Sequence, residues 1–224
     1  MEAVINLAGE NIAGGRWTKK RKKLLLYSRV GATESLYQLV KRLTVKPRVL
    51  INASAVGFYG NAGNAELTES SSAVRRDFSY LLCDAWEQAA RNFSDFGMRV
   101  CILRIGVVLS HHGGMLAKLL PLYRKGLGSL LGDGSQWFSW IHLEDLIELV
   151  IRCLDASAAE GVYNAVAPNP ISYRKFHSAL AKVCKRPALI RVPGLPLSLA
   201  LGEMSEIMLG GQRVLPARLE REGF

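Results

Sequence analysis

The stretch Leu50–Gly60, LINASAVGFYG, carries the residues best placed for chemistry. A short apolar run ends in small residues, with a hydroxyl at Ser54 and a phenol at Tyr59. Small residues at the carboxyl end of a buried strand let a ligand approach the backbone, and open α/β sheets bind ligands at such ends. A phenol there can act as an acid, although packing is the plainer role for Tyr59; the Ser54 hydroxyl can equally satisfy backbone at the strand end. His142 and Asp145 invite an acid–base reading. His111 and His112 form a pair with no carboxylate or cysteine at metal spacing, so no metal site is expected. Cys83, Cys101, Cys153 and Cys184 are isolated in the chain and read as reduced, mostly buried thiols of a cytoplasmic protein.

The elements that must position these residues alternate in type. Two further apolar runs, Val4–Gly9 (VINLAG) and Val100–Gly106 (VCILRIG), end as Leu50–Gly60 does. Helices are predicted over Thr18–Leu43, with Thr18 as N-cap and Gly31 as a weak point, and over Asp77–Phe96, stopped by Gly97. The fold class is therefore α/β, a Rossmann-like parallel sheet with helices on its faces, whose first part is missing. A partial dinucleotide-binding domain is expected over residues 1–110. Residues 111–224 are expected to form mainly a small α+β substrate lobe, with Rossmann elements returning near 142–166. In that half helices are predicted over Leu116–Arg124, Leu143–Leu154, Ser172–Cys184 and Leu197–Leu209. Strands are predicted at Trp137–Ile141, Gly161–Val166 and Leu189–Val192, and a loop over the glycine-rich Gly126–Gly134.

A chain of 224 residues, 49% hydrophobic and 21% charged, can bury one sizeable core. No apolar run approaches a membrane span, and the start of the chain lacks a basic leader, so neither a membrane anchor nor a signal peptide is expected. Leu195–Leu201 reads as a packed helix. The net charge of +10 peaks at Lys19–Lys23, where a helix should begin. That run lacks interleaved aromatics and any nucleic-acid-binding module, so it reads as a solvated helix face rather than a nucleic-acid contact.

Taken in order, these motifs resemble the extended short-chain dehydrogenase/reductase superfamily. NLAG at Asn6–Gly9, NASAVGFYG at Asn52–Gly60, LRIGVVLS at Leu103–Ser110 and WIHLEDL at Trp140–Leu146 are similar to its fourth-strand, fifth-strand, sixth-strand and substrate-lobe motifs. NLAGENI, the Trp86-Glu87 pair, GGML at Gly113–Leu116 and GQRVLP ending at Pro216 fit an atypical, epimerase-like subgroup. The resemblance implies NAD or NADP as cofactor, NADP slightly preferred, and a small-molecule substrate. It implies that Leu7, Ala8 and Gly9 flank the adenine or ribose, Ala53 and Ala55 the middle of the cofactor, and Ile105, Gly106, Val107 and Val108 the nicotinamide. Ser54 matches the residue that holds the reacting oxygen. Arg29 stands where relatives place an asparagine near the cofactor, able to meet a phosphate or to form a surface ion pair. In the family motif the His142–Asp145 segment starts a helix, and the aspartate serves local structure.

Two departures accompany the resemblance. The usual glycine-rich strand–turn–helix, which sets helix amides against the pyrophosphate, precedes no part of this sequence, so a truncated product with doubtful cofactor binding is expected. The usual catalytic Tyr and Lys positions fall on Ser79 and Cys83, which cannot exchange a proton in the same way. The competing functions are an NAD(P)-dependent epimerase or oxidoreductase and a non-catalytic nucleotide-binding or regulatory protein. Phe138 replaces an arginine that clamps a substrate diphosphate. With Gln136, Trp137 and Trp140 it can instead stack on a planar or apolar ligand, or form core between lobes.

Overall fold

The computed structural model describes residues 2–224. In chain order the first half runs β1 (Ala3–Asn6), α1 (Lys19–Leu26), α2 (Ala32–Arg42), β2 (Val49–Ala55), β3 (Glu66–Leu67), α3 (Phe78–Arg91), β4 (Arg99–Ile105) and β5 (Val107–Leu109). The second half runs α4 (Gly114–Arg124), β6 (Ser129–Leu131), β7 (Trp137–Phe138), β8 (Trp140–His142), α5 (Leu143–Asp155), β9 (Gly161–Ala165) and β10 (Ile171–Ser172). It closes with α6 (Tyr173–Val183), β11 (Ile190–Val192), α7 (Gly194–Leu201), α8 (Glu206–Leu209), β12 (Arg213–Val214) and α9 (Ala217–Arg221).

The central sheet is four-stranded and parallel, in the order β1-β2-β4-β9. Strands of this kind need crossovers, and the helices supply them. The Rossmann-like parallel sheet expected from the sequence is present. Both faces of β2 and β4 are buried, which is why they read as continuous apolar runs. Val4, Leu50, Val100 and Ile102 pack against Val40 of α2 and Ala90 of α3. On the opposite face Ile51, Leu103 and Tyr163 meet Leu149 and Cys153 of α5. In α5 the apolar residues Leu146, Leu149, Val150, Cys153 and Leu154 recur at three- and four-residue spacing, a stripe that faces the sheet. β1 forms one edge, where Ile5 remains 46% exposed.

Caps agree with the sequence. Thr18 Oγ1 accepts from Arg21 N, Asp77 Oδ1 from Tyr80 N and Ser172 Oγ from Lys175 N. The weak point at Gly31 is the end of a π-helical turn, Tyr27–Gly31, between α1 and α2. Three expectations need correction. The predicted loop Gly126–Gly134 contains β6, which pairs in parallel with β11 beside a separate aromatic core around Tyr123, Phe138 and Phe176. The predicted helix Leu197–Leu209 is broken into α7, a 3-10 turn and α8, because Gly202 takes φ +59, which a helix cannot continue through. Nor is α7 packed as expected. Leu195 and Leu199 are 73% and 71% exposed, since its apolar residues surround the helix instead of forming one stripe.

Candidate functional site

Strand register brings polar side chains into one row across the carboxyl half of the sheet. Residues two apart on a strand share a face, and Ser54 lies opposite Arg104, which lies opposite Asn164. All three are buried. On the same face Asn6 Nδ2 donates to Asn52 Oδ1 at 2.6 Å and to Thr33 Oγ1 at 2.9 Å.

Glu87, fully buried on α3, organises the central part of this row. Its carboxylate receives Arg104 Nε at 2.9 Å and Nη2 at 3.0 Å, a bidentate pair, together with Ser54 Oγ at 2.8 Å and Arg91 Nη2 at 2.9 Å. The remaining Arg104 nitrogen, Nη1, donates to the Tyr59 hydroxyl at 3.0 Å. The single Tyr59 hydroxyl proton is shared between Asn164 Oδ1 at 2.7 Å and the Thr68 carbonyl at 2.9 Å. The guanidinium carbon of Arg104 sits 3.4 Å from the Phe58 ring centroid. Burial works against the charge of Arg104, yet Glu87 and Tyr59 hold its guanidinium above the ordinary value. Burial raises the Tyr59 phenol in spite of Arg104, so it stays protonated at neutral pH. Ser54 and Tyr59 therefore belong to one network, with Ser54 bonded to a carboxylate rather than to strand-end backbone.

The positions that the resemblance assigns to a Tyr–Lys pair stand over the end of β2. A Cβ placed on Gly57 would lie 3.3 Å from Ser79 Cβ and 3.8 Å from Cys83 Sγ. Burial pushes the Cys83 thiol up to about 12, with the Glu87 charge adding to it. This thiol is neither a base nor a nucleophile at neutral pH.

The remaining predicted residues divide into two groups. Leu7, Ala8 and Gly9 are exposed just beyond β1. Arg29, in the π-helical turn, crosses Gly9: a Cβ there would lie 3.0 Å from the guanidinium carbon. Arg29 donates to the Glu10 and Leu25 carbonyls and rests 5.3 Å from the Trp86 ring. Among the described residues it has no ion pair, and burial lowers its pKa. Ala53 is buried within β2, and Ala55 is half-buried at its tip. Ile105, Gly106, Val107 and Val108 are half-buried where β4 passes into β5. Gly106 permits that junction, since a Cβ would meet the Ser139 carbonyl oxygen at 2.7 Å.

Beside these tips lies a pocket of about 180 Å³. Val56, just past β2, and Val107, at the start of β5, line it together with Gln136 and Trp137. Trp140 does not line it; this indole packs into the aromatic core with Nε1 buried and unpartnered. Phe138 borders the pocket but is stacked on Phe176 at 4.4 Å. Sequence reasoning missed Met115, Met208 and Gln212 on the same walls. Two of them lie in the segments GGML and GQRVLP, which carried the family resemblance without indicating a pocket. Larger depressions exist elsewhere: one adjoins Thr68 and Glu69, which bond Tyr59 and Asn164, and one of about 220 Å³ lies at Val166, just past β9, but none of them is lined by the residues at the tips of β2 and β4.

His142 caps α5, its Nδ1 accepting from Glu144 N at 3.3 Å, and Asp145 follows in the first turn. The His111 and His112 rings lie 3.7 Å apart, and no group of three or more metal-binding side chains occurs among the described residues. All four cysteines are free. The lysine-rich α1 is largely solvent-facing, with Lys22 paired to Glu203. No described helix is long and apolar enough to cross a membrane.

The chain is similar to known proteins over its whole length. The NAD dependent epimerase/dehydratase family matches residues 1–165, and a domain of unknown function matches residues 192–224. Epimerase family protein SSP1921 of Staphylococcus saprophyticus is 40% identical over 224 residues, covering 100% of this chain and 75% of the relative. Epimerase family protein YfhF of Bacillus subtilis is 39% identical over 220 residues, covering 98% and 72%. The crystal structure of human epimerase family protein SDR39U1, isoform 2, with NADPH superposes with a TM-score of 0.94 at 33% identity, covering 100% of this chain and 77% of that one. A nucleoside-diphosphate sugar epimerase from Corynebacterium glutamicum gives 0.77 at 36% identity, covering 99% and 42%. With the parallel sheet, the motifs and these matches in agreement, the chain belongs to the NAD-dependent epimerase/dehydratase family.

Proposed function

We propose that this chain binds a nicotinamide dinucleotide across the carboxyl tips of β1, β2 and β4 and acts as an epimerase-like oxidoreductase on a small molecule in the adjoining pocket. The observation that carries the proposal is the contact of an apolar pocket, through Val56 and Val107, with the ends of two parallel strands. The SDR39U1 structure with NADPH supports the choice of cofactor class. The residues present suit such a group: the exposed residues Leu7–Gly9 for the adenosine side, a cation at Arg29 without an ion pair among the described residues, and an apolar seat at Val107. When bound, the nicotinamide would supply hydride transfer. The chain's own part is to orient: Glu87 fixes the Ser54 hydroxyl, and the row beneath holds the tips rigid. We assign Tyr59 to that support, because its phenol is fully buried and hydrogen-bonded. The Arg29 cation supports our preference for NADP over NAD, and the free thiols suit a cytoplasmic setting.

A second reading, a nucleotide-binding regulator without turnover, is favoured by Ser79 and the protonated Cys83 where an acid–base pair would stand. Thermal unfolding of the purified chain with NADPH or NADH tests both. Nucleotide at about 100 times its Kd should stabilise by about 2.7 kcal/mol. No shift at millimolar nucleotide overturns dinucleotide binding. A shift without NADPH oxidation across a panel of carbonyl compounds supports the regulator.

A further inference from the structure

The pocket beside Val56 and Val107 discriminates by size, charge and hydrogen bonding. Its volume is about 180 Å³. A dry cavity of about 150 Å³ accepts benzene, whereas drug-sized ligands occupy about 300–1,000 Å³. One substituted ring fills this volume, and most of a nucleotide sugar would lie outside it. No Lys, Arg, His, Asp or Glu side chain lines the walls. The neighbouring guanidinium of Arg213, 4.7 Å from the Trp137 ring, is paired with Glu66 at 2.9 Å. An anion entering would lose its hydration without gaining a free counter-charge. The thioethers of Met115 and Met208 and the Trp137 indole give the walls soft, polarisable surface suited to a ring.

The polar groups on the walls differ in availability. Gln136 Nε2 already donates to the Leu131 and Met208 carbonyls at 3.2 and 2.9 Å. The Ser139 hydroxyl donates to the Gln212 carbonyl at 2.6 Å and accepts from Val214 N at 3.1 Å. The Tyr173 hydroxyl makes only a 3.5 Å contact with the Ser129 carbonyl, and the side-chain amide of the half-buried Gln212 has no hydrogen-bond partner among the described residues. We infer that this pocket takes an uncharged single-ring compound bearing one carbonyl or hydroxyl oxygen, with the ring between the two methionines and Trp137 and the oxygen at the Gln212 amide. The assignment rests on the pocket being the substrate seat of the proposed function, and it departs from a nucleoside-diphosphate sugar substrate.

Methyl spectra of the full chain carrying ¹³C-methyl methionine, recorded without nucleotide, test it. The probes are acetophenone, ethylbenzene, benzoate and UDP-glucose. Acetophenone and ethylbenzene should shift the Met115 and Met208 methyls saturably. Benzoate, of similar size but charged, should bind at least about tenfold more weakly, and UDP-glucose should leave both methyls unmoved. Gln212→Leu should weaken acetophenone about two- to tenfold, the range of one hydrogen bond, and leave ethylbenzene within about twofold. Met208→Trp should abolish both by filling the cavity. Saturable shifts from UDP-glucose, equal binding of benzoate and acetophenone, or no shift from either neutral ring would overturn the inference. An equal effect of Gln212→Leu on acetophenone and ethylbenzene would remove the role of Gln212. Because nucleotide is absent, ring binding without an NADPH thermal shift would sink the cofactor assignment alone. A thermal shift without ring binding would sink the substrate class alone.

Discussion

Replacing Glu87 by glutamine keeps the shape of the side chain and removes its charge, which isolates the electrostatic work of the buried row. Arg104 would then keep its charge where water cannot reach, because it is only 3% exposed, and one of its two bonds to residue 87 would face an NH2 donor in place of an oxygen. Leaving one member of a buried ion pair unmatched costs about 3–5 kcal/mol. The lost bond to Arg91 adds little, since that side chain is 41% exposed and such pairs are worth about 0–1 kcal/mol. In a chain of this size each kcal/mol moves Tm by about 2–4 °C, so Glu87→Gln should melt about 6–20 °C lower. Thermal and urea unfolding followed by far-ultraviolet circular dichroism give the number. Adding Arg104→Met should recover more than half of the loss, because neither charge is then stranded. A fall below about 2 °C, or a double variant that merely adds the two single losses, would show that the pair is not coupled as its geometry demands.

Tyr59→Phe removes the group that receives Arg104 Nη1 and faces Asn164 Oδ1, so it should cost about 1–3 kcal/mol; an unchanged urea midpoint would refute its anchoring role. Cys83, with a folded pKa of about 12 against an ordinary 9.0, remains protonated in the native chain while the unfolded chain ionises. Its stabilising share is therefore intact below about pH 9 and declines by up to about 1.4 kcal/mol per pH unit as pH rises toward 12. Urea midpoints measured between about pH 8.5 and 10.5 should fall less steeply in Cys83→Ala than in the parent chain, and identical slopes would contradict the assignment.

The sheet was legible because parallel strands buried on both faces must read as apolar runs, and the helices because Thr18 and Ser172 are cap residues and because the stretches over Asp77–Phe96 and Ser172–Cys184 are amphipathic. The short strands β3 and β12 were not, since a two-residue pairing between Glu66–Leu67 and Arg213–Val214 leaves no periodicity to detect. The pocket was half legible: Gln136 and Trp137 stood out in a segment rich in aromatics, whereas Met115 and Met208 are ordinary apolar residues until the chain brings them together.

The polar row shows where that boundary falls. An arginine inside VCILRIG, a run otherwise fit for a dry interior, already signals a partner, because a charge in such a place must be matched. The identity of the partner is a different kind of information. Glu87 lies 17 residues earlier on another element, and it becomes the match only because α3 crosses the face of β4 that carries Arg104. Once that crossing is set, register determines the rest. Ser54 and Asn164 sit opposite Arg104 on either side, one bonding the carboxylate and the other the phenol that Arg104 holds. Moving β2 by one residue would turn Ser54 toward α5 and set a small apolar side chain against Glu87. The site is thus a property of alignment between strands, and substitutions that disturb β2–β4 register should damage it even where no member of the row is changed.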